Sequence, residues 1–262
     1  MIEIKELSYT YPNQSKGIDH LSVLIPKGTT LGIIGRNGSG KSTLIQCLAG
    51  ILKPQHGTIS VDGVDLEWKD IAQRSKILSS VLQFPQDQLF QSSIEKEIIF
   101  TLKQNHPHDW KQKLEDILDL CQLTHLRHLH PYEVSYSKQK LVLLACACAR
   151  PQNIILMDEM SSGLDNLSQQ VVGNVVDFLK NAGKTIIMVS HDINFVAEHC
   201  DQLMMIHENQ CLYSGGIKDA MAQESLFNQV HIELPDIVKL CKALDLPYCT
   251  TRQEWIALWT KK

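Results

Sequence analysis

No apolar stretch in the chain approaches the ~18 residues that cross a bilayer. The longest, Leu141 to Ala149, stops at Arg150. No secretory leader is visible either. The opening MIEIKELSYTYP alternates like a strand, without a basic start or an apolar middle, so the chain is expected to stay where it is made. There is no basic excess: 25 Lys and Arg face 29 Asp and Glu, for a net charge of -4. That balance argues against a dedicated nucleic-acid binder, although it leaves a membrane-protein partner open. No CxxC pair occurs among the cysteines at 47, 121, 146, 148, 200, 211, 241 and 249, and most sit in apolar patterns. They read as free, reduced, buried thiols rather than as a disulfide or zinc framework. Internal repeats and low-complexity tracts are absent. What is present is ordinary globular composition, 44% hydrophobic and 21% charged over 262 residues. That length corresponds to one or two domains with a core large enough to need no staples.

Residues 2–11 alternate as IEIKELSYTY, 21–25 continue as LSVLI, and TLGIIG at 30–35 runs into a glycine-rich turn and the helical pattern STLIQCLAG. Further strands are predicted at 57–63 and 77–83. Strand signals vanish from about 91 to 149, where WKQKLEDILDLCQL has apolar residues at helical spacing. They return as short continuous apolar runs at 153–159 and 184–192, the mark of parallel strands buried on both faces. A helix is expected at 167–181, and a hairpin turning at Glu208 and Asn209. From 217 the pattern is helical again, with breaks at Pro235 and Pro247. This order predicts an α/β fold with a mainly parallel sheet around a helical insert.

Gly35-Arg36-Asn37-Gly38-Ser39-Gly40-Lys41-Ser42 matches GxxxxGK[ST] between a predicted strand and a predicted helix, the context that makes the pattern a phosphate loop. Its glycines let successive backbone N–H groups curl around a β-phosphate, and the helix N-terminus adds its dipole. Lys41 can reach the β- and γ-phosphates, Ser42 can offer its hydroxyl to Mg²⁺, and Thr43 can reach the α-phosphate. The apolar strand at 154–157 ends in Asp158 and Glu159, at the sheet edge where ligands gather. Asp158 can hold the Mg²⁺ shell, and Glu159 can orient or deprotonate an attacking water. The strand at 185–189 ends in Ser190-His191-Asp192, and a neutral His191 can donate to a γ-phosphate oxygen.

Those motifs, GRNGSGKST at 35–43, a strand followed by Gln83, ILMDEMSSGLD at 155–165 and VSHD at 189–192, resemble in that order the ATP-binding subunits of ATP-binding-cassette (ABC) transporters. The resemblance implies a P-loop NTPase (RecA-like) fold with N-terminal antiparallel strands. It implies an ATPase domain over 1–216, with a helical subdomain at about 91–149, and a helical tail over 217–262. By the same resemblance Tyr11 stacks on adenine, and Gln83 touches Mg²⁺ or the lytic water and relays nucleotide state into the insert. Asp165 reaches across a dimer interface, and His191 is the switch histidine. Within the family, VLQFPQDQLFQSSIEKEIIF at 81–100 and the stretch from 232 to the end are similar to ATPases of energy-coupling factor (ECF) transporters. In that group two ATPases at the cytoplasmic face drive a transmembrane coupling protein and a membrane substrate-binding subunit, importing vitamins or transition-metal ions. The residues from Pro85 to Phe90 would then meet the coupling protein.

The family signature LSGGQ is degenerate here, as Val134-Ser135-Tyr136-Ser137-Lys138. Without its glycines, the backbone at that helix start cannot approach a partner's γ-phosphate closely. A homodimer would have two impaired sites, whereas a second ATPase with an intact signature would complete one. The expectation is therefore a heterodimer. Two alternatives are an ordinary ABC importer ATPase, which would not need the tail, and a nucleotide-binding module with weak hydrolysis. His106, His108, His125, His128 and His130 match no compact metal motif and read as exposed. Trp255 and Trp259, four apart, suggest an amphipathic helix docking on the domain or on a partner, with core packing the plainer reading.

Overall fold

The computed structural model describes residues 1–66, 69–105 and 108–260, the side chains of 259 and 260 excepted. His106 and the Trp259 side chain therefore lie outside the described residues. Two sheets form. In the first, β1 (Ile2–Thr10), β2 (Lys16–Ile25), β4 (His56–Val61) and β5 (Val64–Asp65) are antiparallel in the order β2-β1-β4-β5. In the second, β3 (Thr30–Ile34), β6 (Leu78–Val81), β7 (Ile154–Asp158), β8 (Thr185–Val189), β9 (Gln202–His207) and β10 (Gln210–Gly216) stand in the order β10-β9-β3-β8-β7-β6. Its pairings are parallel except the β9–β10 hairpin. This is the mainly parallel α/β sheet expected of a P-loop NTPase.

The continuous apolar runs are explained by burial on both faces. Ile155, Met157, Ile186 and Met188 point into one core, while Ile154, Leu156, Ile187 and Val189 point into the other. The second core lies between the parallel and antiparallel sheets and holds α1 (Lys41–Ala49). A short α2 (Ile71–Arg74), capped by Asp70, precedes β6. The other face carries the helical insert: α3 (Ile94–Asn105), α4 (Trp110–Leu120) and α5 (Tyr136–Cys148). In α4, Leu114, Ile117 and Leu118 form the apolar stripe. The longest apolar run is the middle of α5, with residues 140–147 buried between insert and sheet. α6 (Asn166–Asn181) and α7 (Ile193–His199) follow β7 and β8, each capped by an aspartate, Asp165 and Asp192. Beyond β10 the chain is helical: α8 (Ile217–Met221), α9 (Glu224–Val230), α10 (Asp236–Ala243) and α11 (Arg252–Thr260). Phe227, Val230 and Val238 tie this tail to the main core, and Trp255 is half-buried. No described helix is long and apolar enough to cross a membrane. All eight cysteines are free, and only Cys148 and Cys211 are less than fully buried.

The strand expected at 57–63 ends at Val61 and is followed by the separate β5, and the largest shift of a strand boundary from the sequence reading is at β2. β2 begins at Lys16, five positions before the LSVLI run, because pairing with β1 continues through a polar stretch that alternation does not mark. The closure of α1 depends on a residue without an evident sequence signal. Arg74, 3% exposed, donates to the carbonyls of Cys47 (2.7 Å), Leu48 (3.2 Å), Leu66 (2.8 Å) and Lys69 (3.0 Å). It adds donors at the helix C-terminus, where the Cys47 carbonyl also accepts from Gly50 N over 3.2 Å. Arg74→Met is expected to lower unfolding free energy by about 2 kcal/mol, since the Leu48 and Lys69 carbonyls lose their donor while those of Cys47 and Leu66 keep one from Gly50 N and Lys69 N. Urea titration of the variant checks this.

Candidate nucleotide site

β3 ends at Ile34 and α1 starts at Lys41, so residues 35–40 form a loop at the helix N-terminus. Glycine is required at both ends of the loop. A Cβ at Gly35 would lie 2.3 Å from the Ile206 carbonyl oxygen, and one at Gly40 would lie 2.2 Å from that of Gly17. Lys41 is 6% exposed, and its Nζ donates to the carbonyls of Gly35 (2.8 Å) and Arg36 (3.0 Å). Burial lowers its pKa, opposed by the charges of Glu159 and Asp158. The Ser39 hydroxyl is buried and finds no hydrogen-bond partner among the described residues.

The sheet register brings the acids to this loop. Val189 pairs with both Ile33 and Asp158, so the ends of β3, β7 and β8 share one edge. Ser42 Oγ donates to Asp158 Oδ1 over 3.2 Å. Burial raises the Asp158 pKa, against the hydrogen bond from Ser42 and the charge of Lys41. Glu159 has φ 55, a left-handed conformation costing a non-glycine residue ~1–3 kcal/mol, held by its N–H donating to the Val189 carbonyl (3.0 Å). One carboxylate oxygen lies 2.9 Å from His191 Nε2, and the other is buried without a hydrogen-bond partner among the described residues. Burial pushes this carboxyl up to about 7, with Lys41 opposing and Asp158 reinforcing the shift. Burial, and then Lys41, lowers the His191 pKa and favours the neutral ring. A carboxyl near neutrality beside a neutral imidazole is chemically suited to accept or orient a proton.

A cavity of about 660 Å³ gathers most of the residues singled out in the sequence: Tyr11, Asn37, Gly38, Gly40, Lys41, Ser42, Thr43, Gln83, Glu159 and His191 line it. Gly35, Ser39 and Asp158 are not on its wall. Gly35 and Ser39 belong to the loop, and Asp158 meets the wall through Ser42. Tyr11 stands edge-on to Tyr9, ring centroids 5.0 Å apart, and its hydroxyl shares a 2.9 Å hydrogen bond with Thr43 Oγ1. Asp165 spends its carboxylate on the α6 cap, accepting from Ser168 N (2.8 Å) and Ser168 Oγ (2.9 Å).

Four contributors were not identified from sequence. Lys16 and Gly17, at the start of β2, line the same cavity. Asn209, in the β9–β10 turn with φ 67, donates to the carbonyls of Gly17 (3.1 Å) and Gly38 (3.3 Å). Its place in a hairpin turn was legible, but contact with a loop some 170 residues earlier was not. Lys140, inside the apolar run of α5, is 1% exposed and donates to the carbonyls of Glu159 (2.6 Å) and Ser162 (2.7 Å). The histidines away from the site do not converge on it: His108, His125 and His128 are exposed and His130 is half-buried.

Comparison with known proteins gives the same picture. Residues 18–162, over half the chain, match the family model described as ABC transporter. The energy-coupling factor transporter ATP-binding protein EcfA2 of Staphylococcus epidermidis is 30% identical, over 98% of this chain and 97% of its own length. EcfA2 of Clostridium tetani is 29% identical over 93% and 88%. Against a longer relative, a putative ABC transporter ATP-binding protein of Bacillus cereus, the chain is 28% identical and spans 43% of that protein. Among solved structures, cbiO1 from Clostridium perfringens, part of the ABC transporter complex cbiONQ, is 27% identical, with a TM-score of 0.75 over 92% of this chain and 98% of that one. A dimeric ATP-binding cassette in a post-hydrolysis state bound to ADP and Pi shares the fold, with a TM-score of 0.75 at 20% identity over 83% of this chain and 99% of that one. The chain belongs to the ABC transporter ATPases, ATP-binding subunits that hydrolyse ATP to power transport, and within them to the energy-coupling factor type.

Proposed function

We propose that the chain is one half of an ATPase heterodimer that energises an ECF-type importer of vitamins or transition-metal ions from the cytoplasmic face of the membrane. The observation that carries this reading is the contrast between its two half-sites. The phosphate-loop side assembles Lys41, Ser42, Glu159 and His191 around one cavity. The signature side starts α5 with Tyr136, whose hydroxyl turns back to the Gln83 carbonyl at 3.0 Å instead of leaving an open helix N-terminus. A second ATPase with an intact signature would complete the first half-site.

In this reading residues 1–216 are the ATPase unit, with its helical subdomain at about 91–149, and 217–262 are its tail. The phosphate loop, Gly35 to Gly40, cradles the phosphates with Asn37, Gly38 and Ser39, Lys41 and Thr43 bind them, and Tyr11 packs on the adenine. Ser42, Asp158 and Gln83 would hold Mg²⁺. The hydroxyl and carboxylate oxygens, already 3.2 Å apart, form the hard oxygen set that this ion requires. Mg²⁺, when bound, supplies positive charge to the phosphate oxygens. Glu159 orients or deprotonates the attacking water, and His191 donates toward the γ-phosphate and keeps the carboxylate in line.

The surface that meets the transmembrane coupling protein lies around Pro85 to Phe90. Phe84 and Phe90 are exposed, and Phe90 stacks edge-on against exposed Phe100 with centroids 5.2 Å apart. Buried Glu97 accepts from the backbone N–H groups of Phe90 and Gln91, which anchors this loop to the insert. A membrane substrate-binding subunit would select the cargo.

Lys41→Ala is expected to abolish tight ATP binding while thermal unfolding stays near wild type; calorimetric titration with ATP checks it, and unchanged affinity defeats the site assignment. The purified chain alone should turn over ATP slowly. Adding a partner ATPase with an intact signature should raise turnover, and Glu159→Gln should then lower it about 100-fold. Robust turnover by the chain alone defeats the heterodimer. Asn209→Gly keeps the left-handed turn but removes both amide bonds, and should weaken ATP binding about fivefold.

A further inference from the structure

The first turn of α5 reaches three parts of the nucleotide cavity through two side chains. Tyr136 and Lys140 are four apart and so share a helix face. Lys140 Nζ donates to the carbonyls of Glu159 and Ser162 and lies 5.1 Å from the centroid of the Tyr136 ring. Tyr136 Oη donates to the carbonyl of Gln83. An ammonium has three donors and no acceptor. Here two carbonyls and an aromatic face surround it, and it is 1% exposed. Burying a cation in a core is unfavourable unless such partners are in place, and an apolar side chain would fill the space without that penalty.

What the ammonium grips is the left-handed backbone at Glu159. The N–H of that residue is fixed by Val189 on β8, and its carbonyl accepts from Lys140 at 2.6 Å and, more weakly, from Ser162 N at 3.3 Å. With both sides of the residue held, the Cα–Cβ bond has a fixed direction, and the carboxylate it carries meets His191 Nε2 at 2.9 Å. Ser162, the second carbonyl in the grip, itself lines the cavity.

We propose that Lys140 is a positioning residue for Glu159, clamping the Glu159 and Ser162 carbonyls so that the turn aims the carboxylate into the cavity, with Tyr136 roofing the ammonium. The aromatic ring that stands where the family signature has glycine thus serves this chain's own half-site in cis. The inference rests on Glu159 being the group that orients water, and the experiment separates the two.

Lys140→Met removes the donors and keeps the length of the side chain; Lys140→Gln keeps two N–H donors for two carbonyls without the charge. In the assembled ATPase pair, Lys140→Met should lower kcat at least about 10-fold, since small misplacements of a reacting group are costly, while the ATP affinity of the chain stays within about twofold. Lys140→Gln should recover most of that loss. Wild-type kcat in Lys140→Met, or an equal loss of affinity and kcat in both variants, overturns the proposal. If the wild-type pair shows no Glu159-dependent turnover, the functional reading fails and the clamp is decided by hydrogen exchange on the nucleotide-free chain. Amides of 159–163 should exchange about 10-fold faster in Lys140→Met and near wild-type rates in Lys140→Gln. Unchanged exchange in Lys140→Met overturns it.

Discussion

The backbone hydrogen bonds that pair β3 with β8 and β8 with β7 are the constraint on which the cavity depends. Val189 stands between Ile33 and Asp158 in register, and the bonds continue past the strand ends, Ser190 N to the Ile33 carbonyl at 3.2 Å and Glu159 N to the Val189 carbonyl at 3.0 Å. The phosphate loop, the acid pair and His191 therefore leave the sheet along one edge. Slipping one of these strands by a single residue would turn every side chain to the opposite face and send the acids away from the loop. The two apolar cores forbid that slip, because alternate residues of each strand are committed to different cores.

Charge at that edge is balanced rather than merely collected. Burial disfavours the charged form of Lys41, Lys140, Asp158 and Glu159 alike, and each cation and acid partly restores the other. The backbone takes the rest of the load: carbonyls of Gly35, Arg36, Glu159 and Ser162 receive the two ammonium groups. Because the lysines bond to main-chain oxygens, they govern backbone shape as well as potential. The left-handed Glu159 is stable within this arrangement, bonded on one side to β8 and on the other to α5.

The same helix links the cavity to the surface of the insert. α5 packs its apolar middle against the parallel sheet, and its first turn contacts Gln83, two residues past the end of β6. A few residues on, Glu97 of α3 holds the Phe90 loop. A shift of α5 relative to the sheet would thus be felt at Glu159, at Gln83 and at the exposed phenylalanines together, a short mechanical path between the cavity and the surface of the insert.

Local signals in the sequence determined the phosphate loop, the two acid- and histidine-bearing strands, the helical insert and the helical tail. Glycine spacing, continuous apolar runs and 3.6-residue periodicity each reflect a conformation of the nearby backbone. Nearly all the site residues named on that basis meet at one cavity. The start of β2 was out of reach, since a polar strand carries no periodic mark when cross-strand pairing holds it. So were Asn209, Arg74 and Lys140, which act on carbonyls far away in the chain. A carbonyl looks the same in every residue, so no residue type announces which one a distant donor will bind. Only the packing of β9–β10 beside β2 and of α5 beneath the acid turn decided that a turn asparagine would brace the phosphate loop and that a lysine in an apolar helix would grip Glu159.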